Sequence, residues 1–224
     1  MKCATRLPKS MTLQGAFAGK RQEGRVELKP DRRKVMVMAL AAGIAQAAPA
    51  RASETRLIAL GDKLLRQNRG RADNAACIAI ADYDRPSWEE RFHFIDLEKR
   101  QARSFRVAHG RGSDPAHSGW LKNFSNQIGS NASSSGAYRV AGEYSGKYGR
   151  SLRLIGLDHE NSNAERRAIV LHAAWYAEPD IIDRHGKLGR SEGCFTVSEA
   201  DRNLLIECLP AGSLIIAGKF ADAL

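Results

Sequence analysis

Seven segments of at most eight residues constrain this chain most. Cys77–Tyr83, Arg91–Leu97, Ser104–His109, Ala137–Glu143, Leu152–Leu157, Ala168–Trp175 and Ser213–Phe220 are apolar or alternating, and turn residues separate them. Arg91-Phe-His-Phe-Ile95 shows the period of two that a half-buried strand requires. Only two stretches carry helical spacing. Ser53 stands before Leu57, Leu60, Leu64 and Leu65, which predicts an amphipathic helix capped at Ser53 and running to about Arg69. Ser198-Glu-Ala-Asp201 resembles a capping box and opens a helix to about Leu209, with Pro210-Ala-Gly212 ending it. Many short strands and few helices predict a mainly β domain, a curved sandwich or barrel with a few peripheral helices.

Charge is uneven along the chain. Of the formal net charge of +10, residues 1–52 hold 11 Lys+Arg against 3 Asp+Glu, while the rest hold 24 against 22. The basic excess sits in the leader, so no basic face for nucleic acid is implied. Asp31-Arg-Arg-Lys-Val-Met36 precedes the apolar run Val35–Ala45, and small-residue sites follow at Ala45-Gln-Ala47 and Ala50-Arg-Ala52. This is the order of a secretory signal, and its paired arginines resemble a twin-arginine leader. The run is shorter than the ~18 apolar residues a bilayer span needs, so no stable span is expected once the leader is cleaved. The expected organisation is a tail and export signal over 1–52, not folded in the mature protein, and one domain over 53–224. Periplasm or cell envelope is the expected location, by a Tat-like or Sec route. Loss of Cys3 with the leader leaves Cys77, Cys194 and Cys208. Cys77 and Cys208 lie in apolar runs and read as core thiols, with a disulfide between them as the alternative.

Chemistry concentrates between Arg167 and Phe195. An apolar run, Ala168-Ile-Val-Leu171, delivers His172, and Gly189-Arg-Ser-Glu-Gly-Cys194 is a glycine-bounded turn that presents a thiol. Cysteine acyl transfer needs a nucleophilic thiolate and an imidazole that generates it and later protonates the leaving amine. Gly193 leaves the backbone open for N–H groups to meet an oxyanion, and Ser191 is placed to hydrogen-bond within the turn or to substrate. Arg190 is a candidate for holding a substrate carboxylate, or else for pairing with Glu192. The serine-hydrolase pattern G-x-S-x-G is also met at Gly189–Gly193, but no histidine follows Ser191 as that order requires. A zinc set of His172, His185 and Cys194 with Asp183 or Glu192 matches no compact metal spacing. His185, in the turn-like Asp183-Arg-His-Gly186, is a second candidate base. His93, His109, His117 and His159 stand in no acidic or thiol motif and read as ordinary core or surface residues. Arg111–Gly136 is rich in Gly, Ser and Asn without periodicity and reads as a functional or a disordered loop.

The strand Ile169-Val-Leu-His172-Ala-Ala174 and the turn Gly189–Cys194 resemble the catalytic strand and turn of the YkuD-type L,D-transpeptidases, in the branch described as murein L,D-transpeptidase catalytic domains. Phe124-Ser-Asn126, Gly129-Ser130, Ser134-Ser-Gly136, Tyr144-Ser-Gly-Lys147 and Ser151-Leu-Arg-Leu154 extend the resemblance to roughly residues 75–218. Ala173 stands where glycine is usual, and Phe195 where proline is usual. The resemblance implies a curved β-sandwich and an exported acyltransferase acting on peptidoglycan stem peptides. It implies Cys194 as nucleophile, His172 as base oriented by a backbone carbonyl, and no metal or organic cofactor. A monomer is expected. Hydrolysis at the same site (a D,L-carboxypeptidase) and a non-catalytic wall-binding module on the same fold are the competing expectations.

Overall fold

A computed structural model describes residues 51–220. Residues 1–50 of the expected tail and signal, with the apolar run and Cys3, lie outside these residues, whereas Arg51 and Ala52, expected to be unfolded, are helical. The first helix, α1, covers residues 51–67, so Ser53 lies within it rather than capping it. Eight strands follow: β1 (Cys77–Asp82), β2 (Phe92–Asp96), β3 (Gln101–Phe105), β4 (Gly136–Gly146), β5 (Gly149–Gly156), β6 (Val170–Ala173), β7 (Phe195–Val197) and β8 (Leu214–Gly218). Two helices, α2 (Pro179–His185) and α3 (Glu199–Cys208), flank β7 in sequence. No helix among the described residues is long and apolar enough to cross a membrane.

The strands form one sheet in the order β3-β2-β1-β8-β4-β5-β6-β7. Pairings β1–β8 and β6–β7 are parallel, and the others are antiparallel. Isolated bridges join Ala108 to Thr196 and Gly110 to Ser191, so the chain leaving β3 at one edge touches β7 at the other. The sheet therefore curls into a nearly closed barrel. Strand alternation sorts its side chains: Ala79, Ala81, Leu171 and Phe195 belong to the inner cluster. Ile78, Ile80, Leu214 and Ile216 face outward, where Leu57, Leu60 and Leu64 of α1 cover them. Gly61 brings that helix close, because a Cβ there would stand 2.9 Å from Ile95 Cδ1.

Where pairing overrides local pattern, the elements differ from expectation. The third strand is Gln101–Phe105 rather than Ser104–His109, since Val107–His109 is drawn away to bridge β7. The sixth begins at Val170 rather than Ala168, whose φ of 52° breaks the extended run, and it ends before the 3-10 turn Trp175–Ala177. Strand β7 and helix α2 are too short to show a period. Helix α3 starts as its sequence predicts, with Ser198 Oγ accepting the Asp201 N–H at 3.1 Å. Segment Arg111–Gly136 has little regular structure but is internally braced. Ser113 Oγ accepts the Ser133 N–H at 3.0 Å, and Asp114 accepts the N–H groups of Ser118 and Gly119, both at 2.8 Å. Cys77, Cys194 and Cys208 are free thiols, with Cys77 Sγ 3.6 Å from the Cys208 carbonyl.

Candidate active site

The parallel pair β6–β7 holds the site. Its register sets Leu171 opposite Phe195, His172 opposite Thr196 and Ala173 opposite Val197. Leu171, Phe195 and Val197 point into the barrel, so alternation sends His172, Thr196 and Cys194, the residue just before β7, to the outer face. Cys194 and His172 thus share a face, offset by one two-residue step. Tyr148, from the β4–β5 turn, stacks on the imidazole at 4.2 Å between ring centroids.

Glycine at 193 is a geometric necessity. Its φ is 115°, and a Cβ there would stand 2.6 Å from the Ala132 carbonyl oxygen and 2.9 Å from Ile169 Cδ1. Gly193→Ala is therefore expected to cost about 1–3 kcal/mol from the backbone alone and to misplace the thiol. Thermal unfolding should report the stability loss, and thiol acylation rates a loss of at least tenfold. Retention of both at wild-type levels would contradict this reading of the turn. Ser191 closes the turn internally: its Oγ accepts the Gly193 N–H at 3.1 Å and donates to the Cys194 carbonyl at 2.8 Å. Backbone bonds from Ser191 N–H to His109 O (2.9 Å) and from Arg111 N–H to Ser191 O (2.8 Å) stitch the turn to the segment after β3.

That segment rests on a buried polar chain. The fully buried Arg91 guanidinium donates through Nε and Nη2 to the Val107 carbonyl (3.0 and 2.7 Å), through Nη1 to Arg85 O (2.9 Å), and through Nη2 to His109 Nδ1 at 2.8 Å. A guanidinium only donates, so Nδ1 accepts and the His109 proton sits on Nε2, 3.4 Å from Asp114 Oδ2. Burial, helped by the Arg91 charge, lowers the His109 pKa to about 3 and keeps the ring neutral.

Cys194 is 8% exposed, and its thiol donates to the Ala168 carbonyl at 3.5 Å. Burial pushes the Cys194 pKa up, opposed by the Val170 N–H and by the Arg167 guanidinium. Arg167 itself is anchored on the carbonyls of Ser125 (2.8 Å) and Ala132. His172 Nδ1 meets the Ala173 carbonyl at 3.0 Å; a carbonyl only accepts, so Nδ1 carries the proton and Nε2 is the basic nitrogen. Burial lowers the His172 pKa below its ordinary value, with the Ala173 carbonyl opposing. Nε2 lies 3.1 Å from Thr196 Oγ1, and no hydrogen bond joins it to Cys194.

The remaining sequence candidates fall elsewhere. Arg190 anchors the loop, its Nη1 donating to the carbonyls of Asp114 and of Pro115 (3.1 Å). Glu192 pairs with Arg111 at 2.9 Å rather than with Arg190. His185 is an exposed residue at the end of α2. Among the described residues no three His, Cys, Asp or Glu side chains gather as a metal-ligand group. Sequence reasoning missed Tyr148, Tyr176, Thr196 and Arg167. It also missed the partners of His109, whose acidic neighbour Asp114 and basic neighbour Arg91 reach it through the fold.

Two hollows flank the site. One of about 280 Å³ borders Ala168–Val170 and includes Tyr144, Arg153 and Glu165. The other, of about 460 Å³, lies beyond His172 among Tyr148, Trp175, Glu178 and Glu199. Trp175 there is 75% exposed.

A mainly β domain that sets a glycine-flanked cysteine and a tautomer-fixed histidine on one face of a parallel strand pair defines the class. The family model for the L,D-transpeptidase catalytic domain matches residues 52–217, and the chain belongs to that family. Similar solved structures include an L,D-transpeptidase from Mycobacterium smegmatis (13% identity, 64% of this chain and 58% of that one, TM-score 0.40). L,D-transpeptidase 3 from Mycobacterium tuberculosis, in complex with a faropenem-derived adduct, is another (13% identity, 64% and 60%, TM-score 0.42). The chain spans about six-tenths of the length of these structures. No curated protein matches it.

Proposed function

We propose that the protein is an exported cysteine acyltransferase of the cell envelope, acting on peptidoglycan stem peptides. The observation that carries this is the orientation of His172: Nδ1–H is fixed on the Ala173 carbonyl, which leaves Nε2 as a base on the face shared with Cys194. Membership of the L,D-transpeptidase family supplies the reaction class. Sγ of Cys194 attacks the carbonyl that joins the L-centre of a diamino acid to D-alanine, and its proton passes to His172 Nε2. The tetrahedral oxyanion is held by the Cys194 backbone N–H, the Gly193 N–H being already taken by Ser191 Oγ. His172 then gives the proton to the departing D-alanine amine, leaving a thioester. An amine of a second stem resolves the thioester into a cross-link, while water would yield the shortened stem. No step calls on a metal or an organic cofactor. Arg190 acts by fixing the loop that borders the turn.

Incubating the protein with a disaccharide-tetrapeptide and weighing the products tests this. A dimer accompanied by one released D-alanine is expected. Shortened monomer alone would make the enzyme a carboxypeptidase, and unchanged substrate with folded protein would favour a wall-binding module. Sequencing the N-terminus of protein recovered from the envelope tests export, with cleavage between residues 47 and 53 expected and an intact Met1 contradicting it.

A further inference from the structure

His172 has a second set of partners that the reaction as written does not use. Thr196 Oγ1 lies 3.1 Å from His172 Nε2, and Tyr176 Oη lies 3.3 Å from Thr196 Oγ1. The hydrogen positions follow from valence. Because Nδ1 donates to the Ala173 carbonyl, a neutral imidazole presents a lone pair at Nε2, and the Thr196 hydroxyl must donate to it. Thr196 has then spent its only proton, so the Tyr176 phenol must donate to Thr196 Oγ1. The result is a directed chain, Tyr176 to Thr196 to His172. Thr196 is fully buried and its backbone is held on both sides, by the β6 pairing and by the Ala108 N–H on its carbonyl at 2.8 Å. Burial raises the Tyr176 pKa to about 12, which keeps the phenol a donor.

We infer that Thr196, with Tyr176 behind it, is a positioning residue that fixes the His172 imidazole and keeps a hydrogen-bond partner on its Nε2 in either protonation state until the Cys194 thiol takes that place. This rests on His172 being the base for Cys194. An imidazolium would carry a proton on Nε2 and need an acceptor there. Thr196 offers one by turning its own proton to Tyr176 Oη, which reverses the chain and keeps both Nε2–H and the Thr196 hydroxyl paired. That charge-assisted bond favours the charged ring over one with no acceptor at Nε2. When the thiol approaches, its proton moves from Sγ to Nε2, and the Thr196 hydroxyl gives up that lone pair. Other groups facing His172 are Tyr148, stacked from the β4–β5 turn with Lys147 over its ring at 5.4 Å, and Ser151, opposite on β5. Glu178, Glu199 and Arg202 line the hollow beyond. None of these is hydrogen-bonded to the ring, so the Thr196 contact is the separable one.

The test is the pH dependence of Cys194 acylation by a carbapenem in Thr196→Val, Thr196→Ser and Tyr176→Phe. The wild-type acid limb is expected below the ordinary imidazole value of about 6.5. Thr196→Val removes the acceptor for Nε2–H and should move it to still lower pH by about half to one unit, Tyr176→Phe in the same direction by less, and Thr196→Ser should restore it. A Thr196→Val limb superimposed on wild type would overturn the inference, as would a Thr196→Ser limb matching Thr196→Val. Should Thr196→Val fail to fold by thermal melting, Tyr176→Phe decides alone, and an unmoved limb there overturns the inference. A Cys194→Ala control separates the two levels. An adduct that persists in it contradicts the nucleophile, whereas an unmoved limb with a silent control contradicts only the role of Thr196.

Discussion

Replacing Cys194 with alanine is expected to abolish acyl transfer, with a fall of about 10⁴–10⁶-fold in turnover, as for removal of a nucleophile elsewhere. Stability should change by no more than about 1 kcal/mol, since the bond the thiol donates is a long 3.5 Å one to a carbonyl. The two readouts matter together. Lost turnover with an unchanged melting temperature assigns the sulfur to chemistry, whereas lost turnover with a large drop in melting temperature would assign it to packing. The raised pKa of the buried thiol sharpens the expectation. At rest the sulfur is a thiol, and in the proposed reaction it attacks only as its proton passes to His172.

The second large effect is expected far from the reacting atoms. Arg91→Met keeps a long apolar stem but strips the Val107 and Arg85 carbonyls and His109 Nδ1 of their donor inside the protein. Breaking such a buried charged network costs about 3–5 kcal/mol. For a domain of this size, that is a fall of roughly 6–20 °C in melting temperature. Because the Ser191 N–H rests on the His109 carbonyl, the loss should reach the cysteine turn, and thiol acylation should slow even at temperatures where the variant stays folded. A melting temperature within a degree or two of wild type would show that water replaces the guanidinium, and that the turn is held by its own bonds.

These effects separate what the sequence displays from what it conceals. Period two in the strands and the capped start of α3 are local properties, and they were legible. Cys194 and His172 stood out as candidates because a glycine-bounded thiol turn and a strand that ends on an imidazole are each local patterns, and the β6–β7 register sets the two on one face. Contacts that only the closed barrel creates were not legible. Thr196 sits two residues beyond the cysteine in a three-residue strand too short to show alternation, and it meets His172 only through parallel pairing across 24 residues. Arg91 reads as a polar outlier at the head of an apolar strand. Its partners Val107 and His109 lie on a segment that sequence assigned to a strand and that pairing diverts toward β7. Ser53 failed as a cap because helix α1 already includes residues 51 and 52. Arg190 offers a guanidinium fork to a substrate, and what only the fold displays is that its Nη1 rests on the carbonyls of Asp114 and Pro115.

The most direct test of the central claim is peptide-level mass mapping of the folded protein after exposure to a carbapenem. The account predicts one adduct, confined to the peptide that contains Cys194, with Cys77 and Cys208 unmodified. Folded protein that takes up no adduct, or takes it up at another residue, would contradict it.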